Sequence, residues 1–211
     1  MRQCSIAFPR NPMRPERIPR TFIDAKVVSS IYVVYRHADL KSAEVNSQPT
    51  SSVTLRPVGP ADEAFLLNVY ASTRADELAL VPWTDEQRLA FVGMQFNAQQ
   101  EHYQKTYPEA DHDVILSAGR PVGRLYIARK EHEIRIIDIT LLPQERNAGV
   151  GSYLIGELLD EATRAGKPLR VYVESFNPSL RLFERLGFYR TEEVGMHILM
   201  QWDPPRDERI Q

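Results

Sequence analysis

Leu141-Leu-Pro-Gln-Glu-Arg-Asn-Ala-Gly-Val-Gly-Ser152 is the stretch on which the fold turns. Upstream of it, residues 133–142 are rich in isoleucine and read as a strand, which Pro143 ends by removing a ladder donor. Downstream, residues 153–164 carry helical apolar spacing and run into Gly166, suited to a helix C-terminus. A glycine-bearing turn between a strand and a helix N-terminus is a seat for phosphate. The first amides of a helix have no internal partners, and the helix dipole adds partial positive charge there. Gly149 and Gly151 let an anion approach the backbone, and Arg146 adds a full charge. The dinucleotide fingerprint fails because its third glycine position is Leu154, and no Gly-Lys-Ser or Gly-Lys-Thr triplet supplies a P-loop. Both failures argue against a nucleotide hydrolase or a dehydrogenase.

Outward from this turn the elements alternate. Toward the C-terminus, residues 169–174 read as a strand, 178–186 as a helix closed by Gly187, and 194–202 as a last strand. Toward the N-terminus, 113–118 and 121–129 are strands about a turn at Gly119. Thr84 and Gln87 form a capping box that opens a helix to about Tyr103, with Leu89, Val92, Met94 and Phe96 among its apolar positions. Residues 74–83 are expected to be a loop. Before them Pro60 opens a helical period through Phe65, Leu66, Val69 and Tyr70. Val53-Thr-Leu-Arg-Pro alternates like a short strand. The expected order is strand, two helices, three strands, helix, strand, helix, strand, a mixed α/β domain on one central sheet.

Composition agrees with that class. The chain has 211 residues, 43% hydrophobic and 26% charged, with a formal charge of −2. These values suit a single soluble domain and carry no global basic field for nucleic acid or an anionic membrane. No apolar run approaches the roughly 20 residues of a spanning helix. A lone cysteine, Cys4, excludes an internal disulfide and a cysteine zinc site, as in the cytoplasm. The histidines show no metal-ligand spacing, so no metal is expected.

Charge and proline set the first stretch apart. Residues 1–52 carry eight Lys or Arg against four acids, a net of +4, leaving 18 bases and 24 acids, a net of −6, for the rest. Pro9, Pro12, Pro15, Pro19 and Pro49 forbid a regular helix there. The expected division is a poorly ordered basic extension at 1–51, a domain at 52–203 and a polar tail at 204–211. Residues 27–35 are too interrupted and too far inside to be a secretory core, and the prolines oppose an amphipathic transit helix. A translation start downstream of residue 1 stays open as an explanation of the extension.

Arg146-x-x-Gly149-x-Gly151 after Leu-Leu-Pro resembles the acetyl-CoA motif of the GNAT superfamily of N-acetyltransferases. Val171-Tyr-Val-Glu-Ser-Phe-Asn177-Pro-Ser-Leu-Arg-Leu-Phe183-Glu-Arg-Leu-Gly187-Phe188 is similar to that family's second signature. The resemblance spans about residues 53–202 and implies a mostly antiparallel sheet, splayed at the coenzyme and flanked by helices. It further implies that the amides of Asn147, Ala148, Gly149, Val150, Gly151 and Ser152 cradle the coenzyme pyrophosphate beside Arg146. The backbones of Leu141 and Leu142 would bind the pantetheine arm like an added strand. Asn177 would touch that arm or cap the following helix, with Phe183 lining the site in the position where the family commonly carries a tyrosine acid.

The implied reaction is acyl transfer from acetyl-CoA to a primary amine of a small molecule or peptide. An alkyl ammonium has a pKa near 10, so the site needs a base, and the leaving sulfur benefits from an acid. Candidate bases are Glu174, Asp138 and Glu133. Candidate acids are Tyr172 and Tyr189, each equally explained as packing. Period-two alternation puts Tyr172 and Glu174 on one face, and Asp138 on the face opposite Glu133. Asp76, Glu77, Asp85 and Glu86, with Trp83, make the first inter-helix region a candidate wall for a cationic acceptor. A non-catalytic acyl-CoA-binding module is the alternative, since Phe183 has no proton to give. Monomer and homodimer both stay open.

Overall fold

The isoleucine-rich run lies at the centre of the molecule. The computed structural model describes residues 52–205. Its strands are β1 (Val53–Pro57), β2 (Asp111–Ser117), β3 (Arg120–Arg129), β4 (Ile134–Leu141), β5 (Leu169–Glu174), β6 (Tyr189–Val194) and β7 (His197–Trp202). Its α-helices are α1 (Glu63–Ala79), α2 (Asp85–Thr106), α3 (Val150–Ala165) and α4 (Leu180–Arg185). The strands form one sheet in the order β1-β2-β3-β4-β5-β7-β6. Every neighbouring pair is antiparallel except β4 and β5. The expected extension at 1–51 and most of the tail at 204–211 lie outside the described residues.

Two boundaries depart from the sequence reading. Residues 194–202 are not one strand: Gly195, at φ 60, turns the chain between β6 and β7. Residues 74–79 are helical, because α1 runs on to Ala79 with Arg74 buried beside Tyr70. The capping box forms as expected, with the Gln87 amide donating to Thr84 Oγ1 at 3.2 Å and the Thr84 amide to Gln87 Oε1 at 2.9 Å. Gly166 ends α3 in the left-handed conformation at φ 62.

Layering follows from which residues each strand buries. Ile134, Ile136, Ile139 and Leu141 of β4 join Val171 and Val173 of β5 in one core with Leu154, Ile155 and Leu158 of α3. Each such aliphatic side chain contributes roughly 1.5–3 kcal/mol on burial. The other face packs under α1 and α2, where Tyr103 meets Tyr126 and Ile137. Within β4 the inward set shifts from 134 and 136 to 139 and 141. Tyr126 pairs with Asp138 while Ile127 pairs with Ile136, so Ile137 is an extra, bulged residue. The bulge resets alternation and overturns the expectation for Asp138: it stands on the α1/α2 face together with Arg135 and Glu133, whose side chains are bonded at 2.9 Å.

Gly123 shows how tightly β3 and β4 approach beyond that bulge. A Cβ there would stand 2.2 Å from the Thr140 carbonyl oxygen and 2.9 Å from Leu141 Cδ2. Backbone must move to admit it, so Gly123→Ala is expected to destabilise by about 1–3 kcal/mol, read as a lowered urea midpoint.

Candidate functional site

The bulge has a second effect. Parallel pairing of β4 with β5 covers only Ile134–Leu169, Arg135–Arg170 and Ile136–Val171, and then stops. Beyond it the strands part, and no further β4–β5 pair forms. A wedge between two strand ends accepts an extended chain by strand addition. At its open end lies the turn quoted first.

That turn joins two left-handed residues to an uncapped helix start. Asn147 and Gly149 adopt left-handed backbone, φ 65 and 82, and Gly149 N-caps α3 without any side chain bonding the first-turn amides. Val150, Gly151 and Ser152 open the helix, so their first-turn amides have no intrahelical acceptor. Arg146 Nε donates to the Leu141 carbonyl at 3.0 Å, while Nη2 is buried without a hydrogen-bond partner. Burial lowers the guanidinium pKa, opposed by the charge of Asp76 on α1. A desolvated cation with a free N–H beside uncapped helix amides fits a pyrophosphate. Leu141 ends β4 and Leu142 follows it, its amide bonded to the Val122 carbonyl at 2.9 Å.

The candidate catalytic residues separate by surroundings. Glu174 ends β5, only 1% exposed, and its Oε2 has no hydrogen-bond partner. Tyr172 shares that face, because Val171 and Val173 belong to the core beneath α3. The Arg135 guanidinium lies 5.2 Å from the Tyr172 ring centroid. Asp138 is fully buried and occupied: Arg124 Nη2 reaches it at 2.6 Å, Thr140 Oγ1 at 2.7 Å and the Tyr103 hydroxyl at 3.4 Å. Glu133 stands at the closed end of the wedge, bound by Arg135 and by Arg170 at 2.9 Å. Those cations, against the opposing effect of burial, hold its carboxyl below the usual range. Tyr189 is on the exposed edge strand β6, where its hydroxyl donates to Asp203.

The remaining candidates have structural partners. Asn177 Oδ1 accepts the Ser179 amide at 2.9 Å, shaping the entry to α4. Phe183 exposes no surface and meets Phe188 edge-on at 5.1 Å. Trp83 lies edge-on to Phe91 at 5.0 Å, Asp85 pairs with Arg88 at 3.0 Å, and Glu77 with Arg74 at 3.3 Å. His197, which the sequence reading left unassigned, lies directly opposite Glu174 on β7. Only strand register reveals that neighbour, and a merged 194–202 strand hides it.

His112, on β2, stacks against Tyr126 at 4.3 Å. Burial, then the charge of Arg124, lowers its pKa to about 4, with Asp62 opposing. The folded value lies below the unfolded value of about 6.5, so this contribution to stability is complete above pH 6.5. It is lost as pH falls toward 4, by roughly 2–3 kcal/mol in all. Urea midpoints at pH 7 and 4.5 should differ less in His112→Phe than in the parent.

Comparison with known proteins agrees with this architecture. A family model described as Acetyltransferase (GNAT) family matches residues 62–188. A comparison with curated protein sequences finds no match. Among solved structures, the PaiA N-acetyltransferase of Thermoplasma acidophilum, determined in complex with coenzyme A, is similar at a TM-score of 0.56 and 14% identity. The match covers 72% of this chain and 99% of that one. An acetyltransferase from Thermus thermophilus gives 0.54 at 15% identity, over 74% of this chain and 99% of its own. The ribosomal-protein-alanine N-acetyltransferase of Escherichia coli gives 0.51 at 16%, over 76% and 99%. With a bulged β4, a wedge beside β5 and a glycine turn into α3, all inside a family match over more than half its length, the chain belongs to the acetyltransferase (GNAT) family.

Proposed function

We propose that residues 52–203 form an acetyl-CoA-dependent N-acetyltransferase acting in the cytoplasm on a primary amine of a small molecule or peptide. The observation that carries this reading is the end of β4–β5 pairing at Ile136–Val171, which opens a wedge directly onto the Arg146–Gly151 turn. The solved relative bound to coenzyme A supports the same choice of donor. In this reading the amides of Asn147 to Ser152 and Arg146 Nη2 hold the pyrophosphate, and the backbone edge of β4 that ends at Leu141 aligns the pantetheine arm, the Leu142 amide being committed to the Val122 carbonyl. Asn177 shapes the far wall, and Phe183 supports it from the core.

Acetyl-CoA, when bound, supplies the thioester whose acyl carbon is transferred. Glu174 is the base we assign, because its buried Oε2 is free to accept a proton whereas Asp138 and Glu133 are occupied. Tyr172, on the same face, is the side chain we assign to donate toward the leaving sulfur. A second reading, a non-catalytic acyl-CoA-binding module, is favoured by one observation: Phe183 has no proton to give.

The test is the thermal midpoint with and without millimolar acetyl-CoA, beside Gly149→Glu. Ligand at 100 times its Kd stabilises by about 2.7 kcal/mol, a rise of roughly 5–10 °C at this size. The variant adds a carboxylate to the anion seat and a Cβ at φ 82, so the rise should vanish. No rise in the parent would overturn the coenzyme assignment. Thiol release with a panel of polyamines and short peptides then separates the two readings: turnover supports the transferase, and binding without turnover supports the module.

A further inference from the structure

Glu174 and His197 are directly opposed where β5 pairs with β7. Both stand on the α1/α2 face, since Val173 and Ile198 belong to the core beneath α3. Directly opposed residues of antiparallel strands hold their Cβ atoms roughly 4.5–5.5 Å apart. Both side chains are buried, 1% and 8% exposed, and each keeps one buried atom without a hydrogen-bond partner, Glu174 Oε2 and His197 Nε2. A buried polar group without a partner is unfavourable, so two on directly opposed residues call for an explanation. The Ser175 amide donates to the Met196 carbonyl at 2.8 Å and pins the strand ends on which the pair sits.

We infer that His197 is a positioning residue for the Glu174 base, the two acting as one proton-holding unit at the mouth of the wedge. The inference rests on the assignment of Glu174 above. An acceptor ammonium gives one proton to Glu174 Oε2, leaving a neutral amine and a carboxylic acid. The acid passes that proton to His197 Nε2 through one water, restoring the carboxylate and forming an imidazolium. The imidazolium returns the proton to solvent. Histidine suits the role because its ordinary pKa near 6.5 lets it take and release a proton near neutrality. The other ionisable groups on this face include Tyr172 with Arg135 over its ring, Glu133 between Arg135 and Arg170, Glu192 opposite Leu199 on β6, Asp138 with Arg124 and Tyr103 under α2, and Tyr126 with His112.

The first test needs no acceptor. Imidazole NMR of the full chain is followed from pH 4 to 9, with the His197 signal assigned by its absence in His197→Gln, or in His197→Asn if the first variant fails to fold. Glu174→Gln should move the His197 ring signals at pH 7, because the opposed side chain changes, and leave those of the other histidines in place. Unmoved His197 signals overturn the inference.

The second test uses the best amine from the panel. His197→Gln should lower kcat at least about tenfold and flatten the acid limb of kcat/KM, with KM for acetyl-CoA unchanged. An unchanged kcat and pH profile overturns it. The thermal shift with acetyl-CoA should persist in both variants; its absence from the parent as well would be a failure of the coenzyme assignment, not of the pair.

Discussion

Asp138→Ala is expected to destabilise the protein by about 3–5 kcal/mol, the usual consequence of stripping one partner from a buried ion pair. The Arg124 guanidinium, 1% exposed, sits between the sheet and the helices, 5.9 Å from the Tyr70 ring centroid. Its Nη2 is shared by Asp138 and Gln99, while Nε and Nη1 have no hydrogen-bond partner. The carboxylate is therefore the only charge that neutralises it among its hydrogen-bond partners. Without that carboxylate a desolvated cation remains, and Thr140 and Tyr103 lose an acceptor. The midpoint of thermal unfolding should fall by roughly 10 °C, with the urea m-value unchanged. Asp138→Asn keeps an acceptor oxygen and should fall less. The double variant Arg124→Met, Asp138→Leu should be more stable than the sum of the single losses predicts, because no charge is left behind. A loss in Asp138→Ala below about 1 kcal/mol would show that water reaches the guanidinium and that the pair is not a structural element.

The same residue marks where sequence reading stops. Residues 141–152 and 169–174 announce themselves because strand, turn and helix signals there are local: a proline stop, two glycines, an apolar period and Gly166. The bulge at Ile137 is not local. It depends on how β3 registers against β4, and it moves Asp138 to the face that plain alternation denies it. β6 escapes for the opposite reason. Tyr189-Arg-Thr-Glu-Glu-Val is exposed throughout at the sheet edge, so no buried side imposes a period of two. Arg74 similarly reads as the start of a polar loop, yet it is buried beside Tyr70 and carries α1 onward to Ala79. The candidate site divides along the same line. The turn into α3 was legible in Arg146, Gly149 and Gly151, whereas the contrast among Glu174, Asp138 and Glu133 is a contrast of partners, which only packing supplies.

Glu174→Gln should leave acetyl-CoA binding intact and lower kcat for an amine acceptor by about 10²–10⁴ near pH 7, the range that a positioned base contributes. Glutamine keeps the shape and the hydrogen-bonding carbonyl but takes no proton at this pH. Binding should persist because the Arg146–Ser152 seat lies at the N-terminus of α3, on a different element from the end of β5. The thermal shift with acetyl-CoA reports that half of the prediction. The rate deficit should also depend on pH in a particular direction. Near pH 7 an alkyl amine is almost wholly protonated, and a base must remove a proton before the nitrogen can attack. As pH rises toward the amine pKa near 10, free amine becomes abundant, so parent and variant rates should converge. A ratio of parent to variant kcat that stays constant from pH 7 to 10 would assign Glu174 to acceptor orientation. Equal rates at pH 7 would remove it from the chemistry altogether and return the search for a base to the other two carboxylates, Asp138 and Glu133.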